Sequence, residues 1–291
     1  MRGAALVARA QLALSSDPVA AWSLAGAGLK LCRETGDRFW AAAALNLTAE
    51  AALHLGRVDA AAAHADQALS IANAAQDGWN EGYALGTKAA IAARAGKLRE
   101  ARQLGSTSVA AMRRIDQQWG AARCLGDLAR LSGHSGEAHA RYMEALPILE
   151  EIGARPEIAR CLAGLGRVSL DLGATGQARG LLTRSIQLSQ ATGSRIGIAR
   201  GLEAFAELAV HENRPGQAVQ LAAAAATLRD SAGLPPLRGA RTETYLAPAR
   251  HLGESAVARL WAQGQALSSE AAITLALDQP RPQAANGELR A

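Results

Sequence analysis

The stretch EIARCLAGLGRVSLDLGATGQARGLLTRSIQLSQATG, residues 157–193, reads as two helices joined by a tight turn. Leu and Ile recur through it at three- and four-residue spacing, the pattern of an apolar stripe on one helix face. Gly173 marks the turn. Working outward, the turn phrase GATGQA (173–178) has counterparts in GRVDAA (56–61), GKLREA (96–101), GHSGEA (133–138) and NRPGQA (213–218). The closing alanines, Ala61, Ala101, Ala138, Ala178 and Ala218, are separated by steps of 40, 37, 40 and 40 residues. Self-similarity at such a period is the signature of an array of stacked units, each too small to bury its own apolar face.

Matching helices flank every turn. Upstream lie WAAAALNLTAEAALHL, WNEGYALGTKAAIAARA, WGAARCLGDLARLS and IGIARGLEAFAELAVHE; downstream lie AAHADQALSIANAAQ, RQLGSTSVAAMRRID, HARYMEALPILEEIG and VQLAAAAATLRDSAG. A further half-unit precedes them, with Asp17 as N-cap, Pro18 at the first helical position and Ala21 one period before Ala61. Pro235-Pro236 breaks the chain, and two or three less regular helices follow as a cap on the array. From Asp278 on, DQPRPQAANGELRA is polar and holds two prolines, which predicts a disordered tail. The expected organisation is therefore a repeat array over 1–235, capping helices over 236–278 and a tail over 279–291.

Composition agrees. Of 291 residues 49% are hydrophobic but only 3% aromatic. Alanine and leucine, the strongest helix formers, supply most of the apolar content. The fold class expected is all-α: a right-handed superhelix of about six helix-turn-helix repeats. The net charge of +5 is a mild surplus for this length and weak evidence for nucleic acid; direct nucleic-acid binding is not expected, because aromatic stacking platforms interleaved with basic residues are missing. Three widely spaced cysteines, Cys32, Cys124 and Cys161, fit neither a disulfide framework nor paired zinc ligands, and imply a reducing cytoplasm. Arg9 interrupts what would be a signal peptide, and the longest uncharged apolar window, 215–228, is too short to span a bilayer. No histidine pair has metal-ligand spacing, so neither metal nor cofactor is expected.

The units resemble tetratricopeptide repeats. Residues 161–188 carry Leu162, Leu165-Gly166, Gly173, Ala178, Leu182 and Ser185 at that family's positions, and residues 122–146 carry Leu125-Gly126, Gly133, Ala138, Tyr142, Ala145 and Leu146. Three other units depart from it, with Thr48-Ala49, Lys88-Ala89 and Phe205-Ala206 in place of Leu-Gly. Units of 40 residues are similar to the long-helix arrays of LuxR-type signalling-ATPase regulators and of kinesin light chains. ARLWAQGQALSSEAAITLAL resembles the phrase that closes the array in actinobacterial LuxR-type regulators, although no phosphate-binding GxxxxGK[S/T] loop occurs here.

That resemblance implies a concave groove built by the first helix of each unit. Carried onto this chain, the inward positions are Asn46, Glu50 and His54; Tyr83 and Arg94; Arg123, Asp127 and Arg130; Arg160, Arg167 and Asp171; and Arg200, Glu203, Glu207 and His211. Arg123, Arg160 and Arg200 recur in equivalent phrases, ARC, ARC and ARG, and would form a ladder able to grip carboxylates or phosphates. The competing reading is that these arginines pair with Asp127, Asp171, Glu203 and Glu207 and carry no function. The carboxylate-clamp pattern of Lys and Asn is not matched.

Trp40, Trp79 and Trp119 start successive first helices and read either as packing at repeat junctions or as a rim that stacks on a ligand. The function expected is a non-catalytic recognition or sensing module connected with transcriptional regulation, whose partner is a peptide segment or an anionic small molecule. An enzyme using His211 with Glu207, or a basic-groove nucleic-acid binder, are the alternatives.

Overall fold

The computed structural model of the chain describes residues 1–235 and 246–278. Among these residues every regular element is a helix. Twelve helices follow in order: α1 (Arg2–Ala13), α2 (Pro18–Glu34), α3 (Arg38–His54), α4 (Val58–Ala75), α5 (Gly78–Arg94), α6 (Leu98–Arg114), α7 (Gln118–Ala129), α8 (Ser135–Ile152), α9 (Arg155–Asp171), α10 (Thr175–Ala191), α11 (Arg195–His211) and α12 (Pro215–Ser231). A 3-10 helix (Ala247–Leu252), α13 (Glu254–Gln265) and α14 (Ser269–Leu277) complete the chain. The tail expected at 279–291 lies outside the described residues, as do residues 236–245 of the capping region. No described helix is long and apolar enough to cross a membrane.

Short polar side chains start several helices. Asp17, Asp37, Asp77 and Ser194 each accept a hydrogen bond from the backbone N–H three residues on, at 2.9, 3.1, 3.1 and 3.0 Å. Each cap satisfies a donor that the first helical turn leaves unpaired. Most helices of the array end in a left-handed residue, a glycine in most units, as at Gly56, Gly96 and Gly173; Gln76, Asp116 and Asn213 adopt that conformation elsewhere. The phrase-closing alanines are all buried, because each lies where the second helix crosses its partner. The same logic puts Gly166 against Leu182: a Cβ there would lie 2.6 Å from a leucine methyl.

The single 37-residue step has a local cause. Helix α7 has 12 residues where α5 has 17, and its turn, 130–134, is two residues longer than the three-residue turn at 95–97. The deficit is therefore taken from the end of an inner helix, which places Arg130 just beyond the last turn of α7.

Odd-numbered helices touch their odd-numbered neighbours all along the array, α1 on α3 through to α9 on α11, whereas the even-numbered helices pack outside them. The inner wall is thus α1, α3, α5, α7, α9 and α11. Helix α13 packs on α12, and α14 on α11 and α12, covering the last unit. The apolar core is segmented along the array: Val7 to Ala84 at the start, Val109 to Val168 in the middle, and Leu170 to Ala276 at the end.

The curvature brings the two ends together. The Ser15 carbonyl, between α1 and α2, accepts hydrogen bonds from the Ser194 hydroxyl and the Ile196 amide, both at 3.3 Å. Pro235 lies against Gly56, and Val19 against Gly233. The concave face expected from the repeats is consequently a lumen with a closed circumference.

Candidate functional site

Three adjoining chambers occupy the lumen. The first, about 380 Å³, lies among α3, α5, α7 and the C-terminal end of α12; the second, about 480 Å³, lies among α1, α3, α9, α10 and α11; the third, about 360 Å³, opens between α7, α8, α9 and α11. Arg160 and Arg200 line all three, and Glu50, His54 and Arg123 line the first two.

The three recurrent arginines meet different surroundings. Arg123, on α7, reaches across the lumen to Glu50 on α3, its Nη2 lying 2.6 and 2.7 Å from the two carboxylate oxygens. The same guanidinium lies over the Tyr83 ring, 4.7 Å from its centre. Burial opposes ionisation of Glu50, but the Arg123 charge overcomes it and holds the carboxyl below its ordinary value. Arg160, on α9, sits 3.2 Å from Asp127 on α7, which also meets Arg130 at 3.0 Å. Burial disfavours the charged form of Asp127 too, and Arg160, Arg130 and Arg123 together outweigh it.

Arg200, on α11, has no ion pair within 4 Å among the described residues. Burial, then the fields of Arg130 and Arg160, push its guanidinium down to about 9, with Glu203 opposing them only in part. His54 shares this fate: burial, together with Arg200, Arg94 and Arg130, outweighs Glu50 and pushes the imidazole down to about 4. The imidazole is therefore neutral at pH 7 although a carboxylate lies nearby. Six arginines and two carboxylates line the first chamber, so the local excess of positive charge adds to burial, the larger cause, in both shifts.

The remaining candidates divide by depth. Arg167 lies 3.3 Å from Glu207 and 3.8 Å from Glu203, both buried on α11. Arg94 is exposed at the mouth of the first chamber, with no ion pair within 4 Å among the described residues. Asn46 is buried and donates to the backbone and side-chain oxygens of Asn80, each at 3.1 Å, tying α3 to α5. Asp171, at the end of α9, is exposed on the rim of the third chamber, and the Ser135 hydroxyl approaches it at 3.5 Å. His211 ends α11, is exposed and lines none of the three chambers, so it is not brought to the arginine cluster.

Arg229 is an addition. It comes from the outer helix α12, pairs with Glu203 at 3.3 Å and lines the first chamber. The first-helix register gives no signal for it, since it stands on the second helix of its unit. Burial pushes the thiols of Cys124 and Cys161 up to about 11, and Ser108 donates a hydrogen bond to the Cys124 sulfur at 3.0 Å. Neither is a poised nucleophile. Among the described residues no group of His, Cys, Asp and Glu is gathered closely enough to hold a metal ion.

No family model matches this chain, and no curated protein matches it.

Proposed function

We propose that this chain is a recognition module that binds an organic anion inside its lumen, and that it is a tetratricopeptide-like array related in kind to the helical regions of LuxR-type regulators. The observation that carries the reading is Arg200: a half-buried guanidinium with no ion pair among the described residues, crowded by other arginines and lining all three chambers. A site whose charges were only structural would bring a carboxylate to each arginine, as Glu50 is brought to Arg123. An anion entering here gains charge-assisted hydrogen bonds and relieves repulsion already present. The closed circumference favours a small molecule over a through-running peptide. In a regulatory setting, occupancy would be the signal, because an anion bridging α7, α9 and α11 makes the array stiffer.

The test is calorimetric titration with citrate at low salt, comparing the wild type with the Arg94→Gln, Arg200→Gln double variant. Saturable binding that weakens at least tenfold in the variant is expected. Citrate that binds both proteins equally, or neither, contradicts the reading. Binding should also weaken with rising salt, since the contacts are ionic.

A further inference from the structure

A fourth chamber, about 450 Å³, adjoins the arginine cluster and has the opposite character. It lies at the N-terminal ends of α3, α5 and α7, roofed by α1, and its walls are Trp40, Trp79, Trp119, Tyr83, Phe39 and Leu12. Three of the five tryptophans in the chain line it. Trp79 and Trp119 stack with ring centres 5.6 Å apart and planes 19° from parallel, and Tyr83 tilts against both. These rings pack against the core on one side yet remain only partly buried, while Leu12 and Phe39 are 80% and 44% exposed. Large apolar groups left open around a concavity, rather than scattered singly, mark a ligand site.

The two regions adjoin and share walls. Glu50 and Tyr83 border both the aromatic chamber and the first arginine chamber; Gln11, Leu12 and Glu50 border both it and the second. At the junction the Glu50 carboxylate is neutralised by Arg123, so the partition presents a closed ion pair that does not repel an acid passing it.

We infer that the lumen takes an amphiphilic organic anion, a compact aromatic or branched apolar body joined to a single acidic group. The body lies between Leu12 and the Trp79–Trp119 stack, and the acid reaches Arg200. This rests on the anion-binding reading above and adds the class of molecule. The aromatic walls contribute apolar burial, and the arginine cluster selects the charged end. Neither chamber alone accounts for the other: a simple polyanion leaves the tryptophans without a role, and a neutral lipid leaves Arg200 without one.

A matched pair of dyes tests this on the full chain. 8-Anilinonaphthalene-1-sulfonate carries an aromatic body and an acid, and N-phenyl-1-naphthylamine carries the same body alone. Citrate serves as the acid without the body. The wild type should bind the sulfonate with quenching of tryptophan emission, and bind the neutral dye at least tenfold more weakly. Arg200→Gln should weaken the sulfonate tenfold or more and leave the neutral dye unchanged. Phe39→Gln, at an exposed position, should weaken both dyes without altering citrate binding, and Trp79→Leu, its fold checked by circular dichroism, should weaken them further.

Equal affinity for the two dyes overturns the inference, as does sulfonate binding indifferent to Phe39→Gln and Trp79→Leu. In either of those cases, citrate binding that still depends on Arg200 leaves the anion reading standing. If the wild type binds neither citrate nor the sulfonate, both fall together.

Discussion

Replacing Arg200 with glutamine should have two opposite effects. Its guanidinium is held at about 9, well below the ordinary value, so the empty protein carries an unfavourable charge at neutral pH. Removing it should stabilise the unliganded chain by on the order of 1–2 kcal/mol, a figure reduced for the partial exposure of the group. Thermal unfolding without ligand should therefore move up while citrate affinity falls, a trade expected of a binding residue and not of a structural one. His54 gives a pH dependence of defined sign. Its folded value of about 4 lies below the unfolded value near 6.5, so between these limits the unfolded chain binds the proton that the native chain refuses. Stability should fall as pH drops through that window, and His54→Gln should flatten the slope in urea titrations at pH 4.5, 5.5 and 6.5. At this scale the sequence was partly legible. The recurring ARC, ARC and ARG phrases marked Arg123, Arg160 and Arg200 as equivalent, and the repeat resemblance implied an inward place for them, yet near-identical phrases could not say that one meets Glu50, one meets Asp127 and the third meets no carboxylate within 4 Å among the described residues. Those differences come from partners up to 73 residues away.

At the scale of elements, the period of the alanines decides almost everything. Ala61, Ala101, Ala138, Ala178 and Ala218 are buried where the sequence placed them, and the one shortened step corresponds to the shortened α7. Register alone says little about depth at helix ends. Asp171 lies 11 residues beyond Arg160, about 16 Å along a helix, which carries it out to the exposed rim of the third chamber. His211 stands at the same offset from Arg200 and is exposed for the same reason. The cap depends on a close approach that a single residue controls. A Cβ on Gly264 of α13 would lie 2.3 Å from the Gln220 carbonyl oxygen of α12, a backbone atom that cannot yield without moving the helix. Gly264→Val should therefore undock α13, read as fast hydrogen exchange across residues 254–265, while α3 to α9 keep their protection, since interactions in a repeat array pass chiefly between neighbours.

For the whole molecule, the consequential feature is that the array returns on itself. Ser15 meets Ser194 across 179 residues, with Ile196 beside it, and Pro235 meets Gly56. No periodicity reports such closure, because it accumulates from small rotations between units. Two features lay outside the first-helix register: Arg229 reaches the lumen from an outer helix, and a chamber of aromatic side chains is roofed by α1. The closure concentrates charge, since arginines from α5, α7, α9, α11 and α12 converge on one enclosed volume instead of spreading along an open groove. The most direct test of that convergence is anomalous diffraction from a crystal soaked in bromide, which locates anions without presuming the natural ligand. A bromide peak within contact distance of Arg200 and Arg160 is the expected result. Bromide confined to the outer surface, with none among the lumen arginines, would contradict the account.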